Sequence, residues 1–207
     1  MLELVKRNIF SRYKNTLGGF AWSIVQPLFM LLVYVIAFGY ILQIRWPGSE
    51  GALEYAFALF AGLIIYNAFS EVLNNSAIVI TSNPNFVKKV VFPLEMLPIV
   101  TVFTALLHAI LSLLVWVFAY TFLIGFPEYT VLLFPVVFLV YFPILLGIAW
   151  LASAFGVLIR DSAQFATILG HALLFLSPVF YSIEQTPESI QRILVFNPLT
   201  FVIEQLR

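Results

Sequence analysis

Residues 22–44 read WSIVQPLFMLLVYVIAFGYILQI and contain no charged side chain. A helix that crosses the hydrocarbon core of a bilayer needs about 20 mostly apolar residues, because each residue adds about 1.5 Å to its length. The run is too long for the apolar region of a signal peptide, and no small-residue cleavage site follows it. It therefore predicts a transmembrane helix that the mature protein keeps.

Four further segments have the length and apolar character of transmembrane helices: 55–80, 97–125, 131–159 and 165–181. Strands of a membrane β-barrel alternate apolar and polar residues. By contrast, Met30–Phe38 and Leu113–Ala119 are apolar at every position apart from a tyrosine hydroxyl and an indole N–H. The sequence therefore predicts an all-α integral membrane protein with five transmembrane helices in a single domain.

The composition excludes several other classes of protein. Hydrophobic residues make up 62% of the chain and charged residues only 10%, whereas a soluble domain has about 25% charged residues and a disordered segment combines low hydrophobicity with high charge. The formal net charge of zero gives no basic field that would attract nucleic acid. Since the chain has no cysteine, it has no disulfide, thiolate nucleophile or cysteine metal site.

Basic residues are distributed unequally between the two sides of this predicted protein. If the N-terminus is cytoplasmic, seven of the ten Lys and Arg residues are cytoplasmic: Lys6, Arg7, Arg12, Lys14, Lys88, Lys89 and Arg160. Cytoplasmic loops of membrane proteins carry an excess of Lys and Arg, so we expect this orientation. An odd number of spans then places residues 182–207 outside. The chain stops at Arg207 without a closing polar tail, so we expect that a sixth span is missing from it.

Residues 1–18 are expected to form an amphipathic helix that lies in the membrane interface. Leu2, Val5, Ile9 and Tyr13 recur at helical spacing. Basic residues on the other face suit the anionic cytoplasmic leaflet. The alternative is a solvated leader that only sets the topology.

Residues 81–93 form the predicted cytoplasmic loop between spans two and three. Ser82 or Asn83 can cap a short helix that begins near Pro84, and Pro93 ends it. This helix combines apolar residues with two lysines: Phe86, Val90, Phe92, Lys88 and Lys89. Such a surface suits either docking of a soluble partner or contact with lipid, and the composition does not decide between them.

Residues 186–207 mix apolar and charged side chains, and Asn197-Pro198 interrupts them. Two short re-entrant helices in the outer leaflet fit this pattern. An ordinary extracellular loop is the alternative.

Motifs of catalysis and nucleotide binding are absent from the sequence. No phosphate-binding Gly-rich loop, His-Glu-x-x-His or Gly-x-Ser-x-Gly occurs. His108 and His171 lie in different spans without an acidic neighbour in sequence, which favours packed, hydrogen-bonded histidines over metal ligands or bases. We therefore predict no catalytic residue and no metal site.

Polar side chains near membrane depth are few, and four of them cluster: Glu71, Asn74, Asn75 and Ser76. Because a carboxylate in lipid is costly, Glu71 is expected near the cytoplasmic mouth, where it faces other helices or water. A proton-coupled carrier usually has more such groups in broken helices. Energy for transport is therefore expected from elsewhere.

Aromatic residues make up 17% of the chain. Those at span ends, such as Trp22, fit the aromatic belt of membrane proteins. Another set could line a path on which sugar faces stack: Tyr34, Tyr40, Tyr66, Trp116, Tyr120 and Tyr181. Packing or lipid contact is the alternative for each of them.

The order of several motifs resembles the permeases of the ABC-2 type transporter family. The motifs are Arg12-Tyr13-Lys14 with Leu17-Gly18, Trp22 and Pro27-Leu28; Phe86–Pro93 with Leu97-Pro98; Arg160-Asp161; Leu176–Tyr181; and Asn197–Thr200 with Glu204 and Arg207. They span almost the whole chain. Within the family, the chain looks most like the branch that exports polysaccharides and lipid-linked polymers such as O-antigen, capsule and teichoic acid.

The resemblance implies a six-span permease of the inner membrane that works as a homodimer with two separate P-loop ATPase subunits. ATP and Mg would bind those subunits, and this chain would hold no cofactor. The coupling region would consist of Asn83, Phe86, Lys88, Lys89, Phe92 and Pro93. The interfacial segment beside it would contribute Arg7, Arg12, Tyr13, Lys14 and Trp22. An outer gate would contain Asn197, Pro198, Glu204 and Arg207.

Three other functions compete with polymer export. An ABC-2 exporter of drugs or small lipids would have a more aliphatic pathway. An integral-membrane enzyme acting on lipid-linked sugars would need catalytic carboxylates, and Asp161 is the only aspartate in the sequence. A membrane scaffold would not need a coupling loop.

Overall fold

The computed structural model describes residues 5, 18–44, 51–88, 93–127, 131 and 133–206, and this part of the chain is mainly helical. We label its α-helices in chain order: α1 Trp22–Tyr34, α2 Ala52–Val79, α3 Pro84–Lys88, α4 Met96–Leu123, α5 Phe134–Leu158, α6 Ser162–Phe175, α7 Glu188–Val195 and α8 Pro198–Gln205. A 3-10 turn, Gly19–Ala21, precedes α1, and a π-helical segment, Val35–Ile41, extends it. The interfacial helix predicted for residues 1–18 lies almost wholly outside the described residues.

Four helical segments of the described chain are long and apolar enough to cross a membrane: Gly19–Ile41, Ala52–Val79, Met96–Leu123 and Phe134–Leu158. They overlap the first four predicted spans. Large apolar side chains on their outer faces, such as Phe122, Leu139 and Leu158, are exposed. In a protein of this composition, such faces are suited to lipid.

The fifth predicted span, 165–181, does not form one continuous helix. Helix α6 begins at Ser162 and ends at Phe175, so it has 14 residues and a length of about 21 Å. The chain then turns through Ser177 and Pro178. Proline has no N–H to donate to a helix, so the apolar run continues while the helix stops.

Helix α2 lies at the centre of the bundle and packs against α1, α4, α5, α6 and α8. Most of its side chains are buried, including apolar residues on every face. A helix that is apolar all round is typical of such a central position. Because α2 contacts all five of these helices, a movement of any one of them also acts on α2.

Side-chain donors from two neighbouring helices reach the backbone of α2. The indole of Trp116 on α4 donates to the carbonyl oxygen of Phe57 at 2.9 Å, and the hydroxyl of Tyr141 on α5 donates to that of Ile65 at 2.9 Å. Both donors are buried. Buried polar groups require such partners, because an unpaired one is costly away from water.

Helices α2 and α5 approach each other closely where α5 carries small residues. Ala149, Ser153 and Gly156 are buried on this side of α5. A Cβ atom at Gly156 would clash with the carbonyl oxygen of Ala77 and lie 2.8 Å from its carbonyl carbon. Small residues are the usual means by which membrane helices bring their backbones together.

Candidate functional site: the predicted cytoplasmic segment and the polar core of α2

Helix α3 lies in the connection between the end of α2 and the start of α4. At its beginning, the side-chain amide of Asn83 donates to the carbonyl oxygen of Val79 at 2.8 Å. At its far side, the N–H of Met96 donates to the carbonyl oxygen of Pro93 at 3.0 Å. The Asn83 side chain therefore ties the start of α3 to the end of α2, and Pro93 is tied to the start of α4.

Asn83 stands directly before α3 and also bonds back to the end of α2. The sequence favours Ser82 or Asn83 as the cap of the following helix. In the structure, the Asn83 amide and the Ser82 hydroxyl both donate backwards to the Val79 carbonyl oxygen, at 2.8 and 3.4 Å. The last carbonyls of a helix lack intrahelical partners, and these side chains supply donors for the end of α2.

The other predicted coupling residues are distributed along this segment. Phe86 is half-buried, and Pro93 is exposed at the turn into α4. Lys88 is the last residue of α3. Lys89 and Phe92 lie outside the described residues.

An apolar cleft opens next to the end of α2 and the start of α4. It has a volume of about 460 Å³ and is lined by Ile80, Leu94, Glu95, Pro98, Trp150, Ser153 and Ala154. The Trp150 indole closes one side of it, and its N–H points to the Glu95 carbonyl oxygen at 3.4 Å. The cleft thus joins three helices beside the predicted coupling segment.

Glu71 and His108 form a polar pair between α2 and α4. His108 Nδ1 lies 3.1 Å from Glu71 Oε1 and 3.0 Å from Oε2. The two side chains are 16% and 17% exposed. This contact supplies His108 with an acidic partner that is not its neighbour in sequence, and it places Glu71 against another helix.

A second polar contact joins α2 to α6. The Thr167 hydroxyl donates to Asn74 Oδ1 at 2.8 Å, and the Asn74 amide donates to the Ser70 carbonyl oxygen at 2.7 Å. About one turn after Thr167 on α6, the Gly170 carbonyl oxygen accepts a hydrogen bond from the Tyr66 hydroxyl at 3.0 Å. The polar residues of α2 therefore connect helices, and in the described residues no group of three His, Asp or Glu could hold a metal ion.

The six aromatic residues predicted to line a substrate path occupy different environments. Tyr66 and Trp116 are buried and hydrogen-bonded inside the bundle, the environment of the packing alternative. Tyr120 stacks on Trp116, with ring centroids 5.0 Å apart. Tyr34 is half-buried, and Tyr181 donates to the Phe175 carbonyl oxygen. Tyr40 is 63% exposed, so it retains the best access to a ligand.

Gly18 and Gly19 lie shortly before the start of α1, at positions that suit glycine. A Cβ atom at Gly18 would lie 2.7 Å from Trp22 Nε1, so the indole packs over a position without a side chain. Gly19 has a φ of +50°, which glycine adopts readily. Trp22 is 48% exposed. The other residues predicted for this interfacial segment, Arg7, Arg12, Tyr13 and Lys14, lie outside the described part of the chain.

Asn197, one of the residues predicted for the outer gate, forms three hydrogen bonds through its side chain. Its amide donates to the Leu176 carbonyl oxygen at 3.0 Å and to the Ser177 hydroxyl at 2.8 Å. Its Oδ1 accepts the N–H of Leu199 at 3.0 Å, which caps α8, and Pro198 is the first residue of that helix. Glu204 is exposed, and Arg207 lies outside the described residues. Asn197 thus fastens α8 to the end of α6.

Replacing Asn197 with alanine is expected to destabilise the outer end of the protein by about 2 kcal/mol, because a helix cap and two further hydrogen bonds are lost. Thermal unfolding of the purified chain in mild detergent measures the effect. Gln205→Ala, at an exposed position of α8, is the control and should unfold like the wild type. Equal unfolding of Asn197→Ala and the wild type would contradict the assigned role.

The sequence of this chain is similar to a known protein family and to several named proteins. The model of a family described as ABC-2 type transporter matches residues 1–207. The chain belongs to the ABC-2 type transporter family. It is therefore a membrane transport protein, which agrees with the resemblance drawn from the motifs.

Individual relatives of this ABC-2 chain carry names that refer to polysaccharides. The O-antigen export system permease protein RfbA of Myxococcus xanthus is 30% identical over 96% of this chain and 75% of the relative. An O-antigen export system permease protein RfbA of Klebsiella pneumoniae is 24% identical over 98% of this chain and 76% of the relative. The polysialic acid transport protein KpsM of Escherichia coli is 25% identical over 99% and 78%.

The motifs of the ABC-2 resemblance lie at helix ends in the described structure. Arg160-Asp161 separates α5 from α6, and Ser177 and Asn197 bond to each other where α6 has ended. The sequence did not indicate the Glu71–His108 pair, because its members are 37 residues apart. The only available signal was that both are ionisable residues within apolar segments.

Proposed function

We propose that this chain is the permease subunit of an ATP-driven exporter that moves a lipid-linked polysaccharide across the cytoplasmic membrane. Two copies of the permease form the pathway, and two copies of a separate P-loop ATPase subunit supply the energy. Each permease chain has its N-terminus in the cytoplasm. The polymer is of the O-antigen, capsule or teichoic acid type.

The observation that carries the proposal is the similarity to permeases named for O-antigen export, which extends over nearly the whole chain. A relative named for polysialic acid transport supports the same class of cargo. Matches that cover 96% or more of this chain leave little room for a separate function elsewhere in it.

The geometry of the cytoplasmic segment supports an external energy source. The sequence contains no phosphate-binding loop, so ATP is hydrolysed by a partner. Helix α3 connects directly to the central helix α2 through the Asn83–Val79 bond. Docking of the ATPase on residues 83–93 would therefore act on the helix that contacts most of the bundle.

Deletion of the gene in its own host is expected to remove the surface polysaccharide and to accumulate its lipid-linked form inside the cell. The reason is that synthesis continues while export stops. Surface staining and extraction of glycolipids measure the two quantities, and expression of the wild-type chain restores both. An unchanged surface polysaccharide with increased drug sensitivity would contradict the proposal and favour a drug exporter.

A further inference from the structure

The Glu71–His108 pair lies deep in the bundle. Glu71 is eight residues before the end of α2, and His108 is twelve residues after the start of α4, which corresponds to depths of about 12 and 18 Å along the helices. Both α2 and α4 have 28 residues. The pair therefore lies in the half of these helices that is nearer the cytoplasmic segment.

The pair joins the two helices that flank α3. Helix α2 enters the cytoplasmic segment at Val79, and α4 leaves it at Met96. A displacement of the segment acts on both helices at once. Two apolar helices in lipid keep their axial register through packing and interhelical hydrogen bonds, because lipid is as apolar as their side chains. Two such contacts join α2 and α4: the Trp116–Phe57 bond and, nearer the cytoplasmic segment, the Glu71–His108 pair.

A hydrogen-bonded acid and imidazole fix this register more sharply than apolar packing does. The Nδ1 atom lies within 3.1 Å of both carboxylate oxygens. Sliding α4 by one turn, about 5.4 Å, would separate the two groups and leave a carboxylate and an imidazole without each other in an apolar environment. Such separation is strongly unfavourable.

The other side of α2 is held in the same region. Thr167 on α6 donates to Asn74, and Tyr66 donates to the backbone of α6. Glu71 lies between Tyr66 and Asn74 in the sequence of α2. Residues 66–74, about two and a half turns of α2, thus connect this helix to α4 and α6 through side-chain hydrogen bonds.

We propose that Glu71 and His108 are positioning residues, which hold α2 and α4 in register so that both helices move as one unit when the cytoplasmic segment is displaced. The proposal rests on the proposed function, because it assumes an ATPase that acts on residues 83–93. It adds that the energy reaches the pathway through this pair. Neither side chain needs to contact the cargo.

Proteoliposomes that contain the permease and its ATPase test the proposal through the ratio of cargo moved to ATP hydrolysed. Glu71→Leu and His108→Leu should each lower this ratio by about tenfold, which is a usual size for coupling between linked sites, while ATP hydrolysis continues. Glu71→Gln should retain it, because the amide oxygen still accepts a hydrogen bond from Nδ1. Glu54→Gln, at the other end of α2, is the matched control and should keep the wild-type ratio of cargo moved to ATP hydrolysed.

The double variant Glu71→Leu/His108→Leu separates positioning from stability. It removes both members of the pair together, so neither Glu71 nor His108 is left without the other, and it should fold and assemble with the ATPase. We expect it to remain as poorly coupled as either single variant. A wild-type ratio in the double variant would overturn the proposal, since the pair would then matter only for burial of its own members.

A measurement on the chain alone keeps the inference testable if the proposed cargo or ATPase is wrong. The sequence has no cysteine, so spin labels can be placed at the exposed positions Ser82 and Glu95 through two introduced cysteines. The distance between them should be narrowly distributed in the wild-type background and broad in Glu71→Leu. Identical distributions would overturn the positioning role, whereas absent transport by the wild type would overturn only the proposed function.

Discussion

Replacing Gly156 with leucine is expected to prevent the chain from forming a stable, monodisperse protein. Any side chain at this position meets the backbone of Ala77, because α2 and α5 are in contact there. Backbone atoms cannot rotate away as a side chain does, so the two helices must separate. Overpacking of a core usually costs about 1–3 kcal/mol, and the upper end of that range is expected for a backbone clash.

Size-exclusion chromatography and thermal unfolding in mild detergent measure the effect of Gly156→Leu. The control is Gly147→Ala, which lies on the same helix and would meet no atom within 4 Å. It should be neutral or gain up to about 1 kcal/mol, because alanine favours a helix over glycine. Wild-type elution and unfolding of Gly156→Leu would contradict the described α2–α5 contact.

Reversing the charges of Lys88 and Lys89 to glutamate is expected to abolish association with the ATPase. The two substitutions change the charge of the cytoplasmic segment by four units, and like charges across a docked surface oppose binding. Co-purification with the tagged permease measures the association. We expect the ATPase to be retained at less than about a tenth of the wild-type level, which corresponds to a loss of at least about 1.4 kcal/mol in binding.

Arg192→Glu is the control for this charge reversal, because Arg192 is an exposed basic residue of α7, in the segment predicted to lie outside. It should leave both expression and ATPase association unchanged. Association that survives Lys88→Glu/Lys89→Glu would remove the docking role from this segment and favour its alternative as a linker that lies on lipid.

The long helices could be predicted from the sequence because their signal is local. Runs such as residues 22–44 and 97–125 are apolar over the length that a bilayer requires. The end of α6 was harder to predict, because the apolar residues continue through Leu176, Val179 and Phe180. Only Ser177-Pro178 indicates that the backbone leaves the helix there.

The packing around α2 could not be predicted, because this helix is apolar on every face. No hydrophobic stripe therefore indicates which residues face α4 and which face α6. As a result, the sequence left two environments open for Tyr66 and Trp116, an open path or packing, and the structure buries both. The Glu71–His108 pair could not be predicted for the same reason, since a contact between two helices leaves no local pattern in the sequence.

The motifs at helix ends could be recognised, but their physical roles required the structure. Asn197 is visible in the sequence as the first residue of Asn-Pro-Leu-Thr. Its bonds to Leu176 and Ser177 connect positions that are 21 and 20 residues away. This turn motif thus links two helices, the end of α6 and the start of α8.

ATP-dependent transport by the reconstituted complex is the decisive test of the proposed export function. The permease is purified from its own membrane with the proteins that accompany it, placed in proteoliposomes, and supplied with a fluorescent lipid-linked polysaccharide. We expect that a P-loop ATPase accompanies the permease in equal amount, and that the polysaccharide crosses the membrane only when ATP and both subunits are present. A folded permease that brings no ATPase, or polysaccharide movement that is independent of ATP, would contradict it.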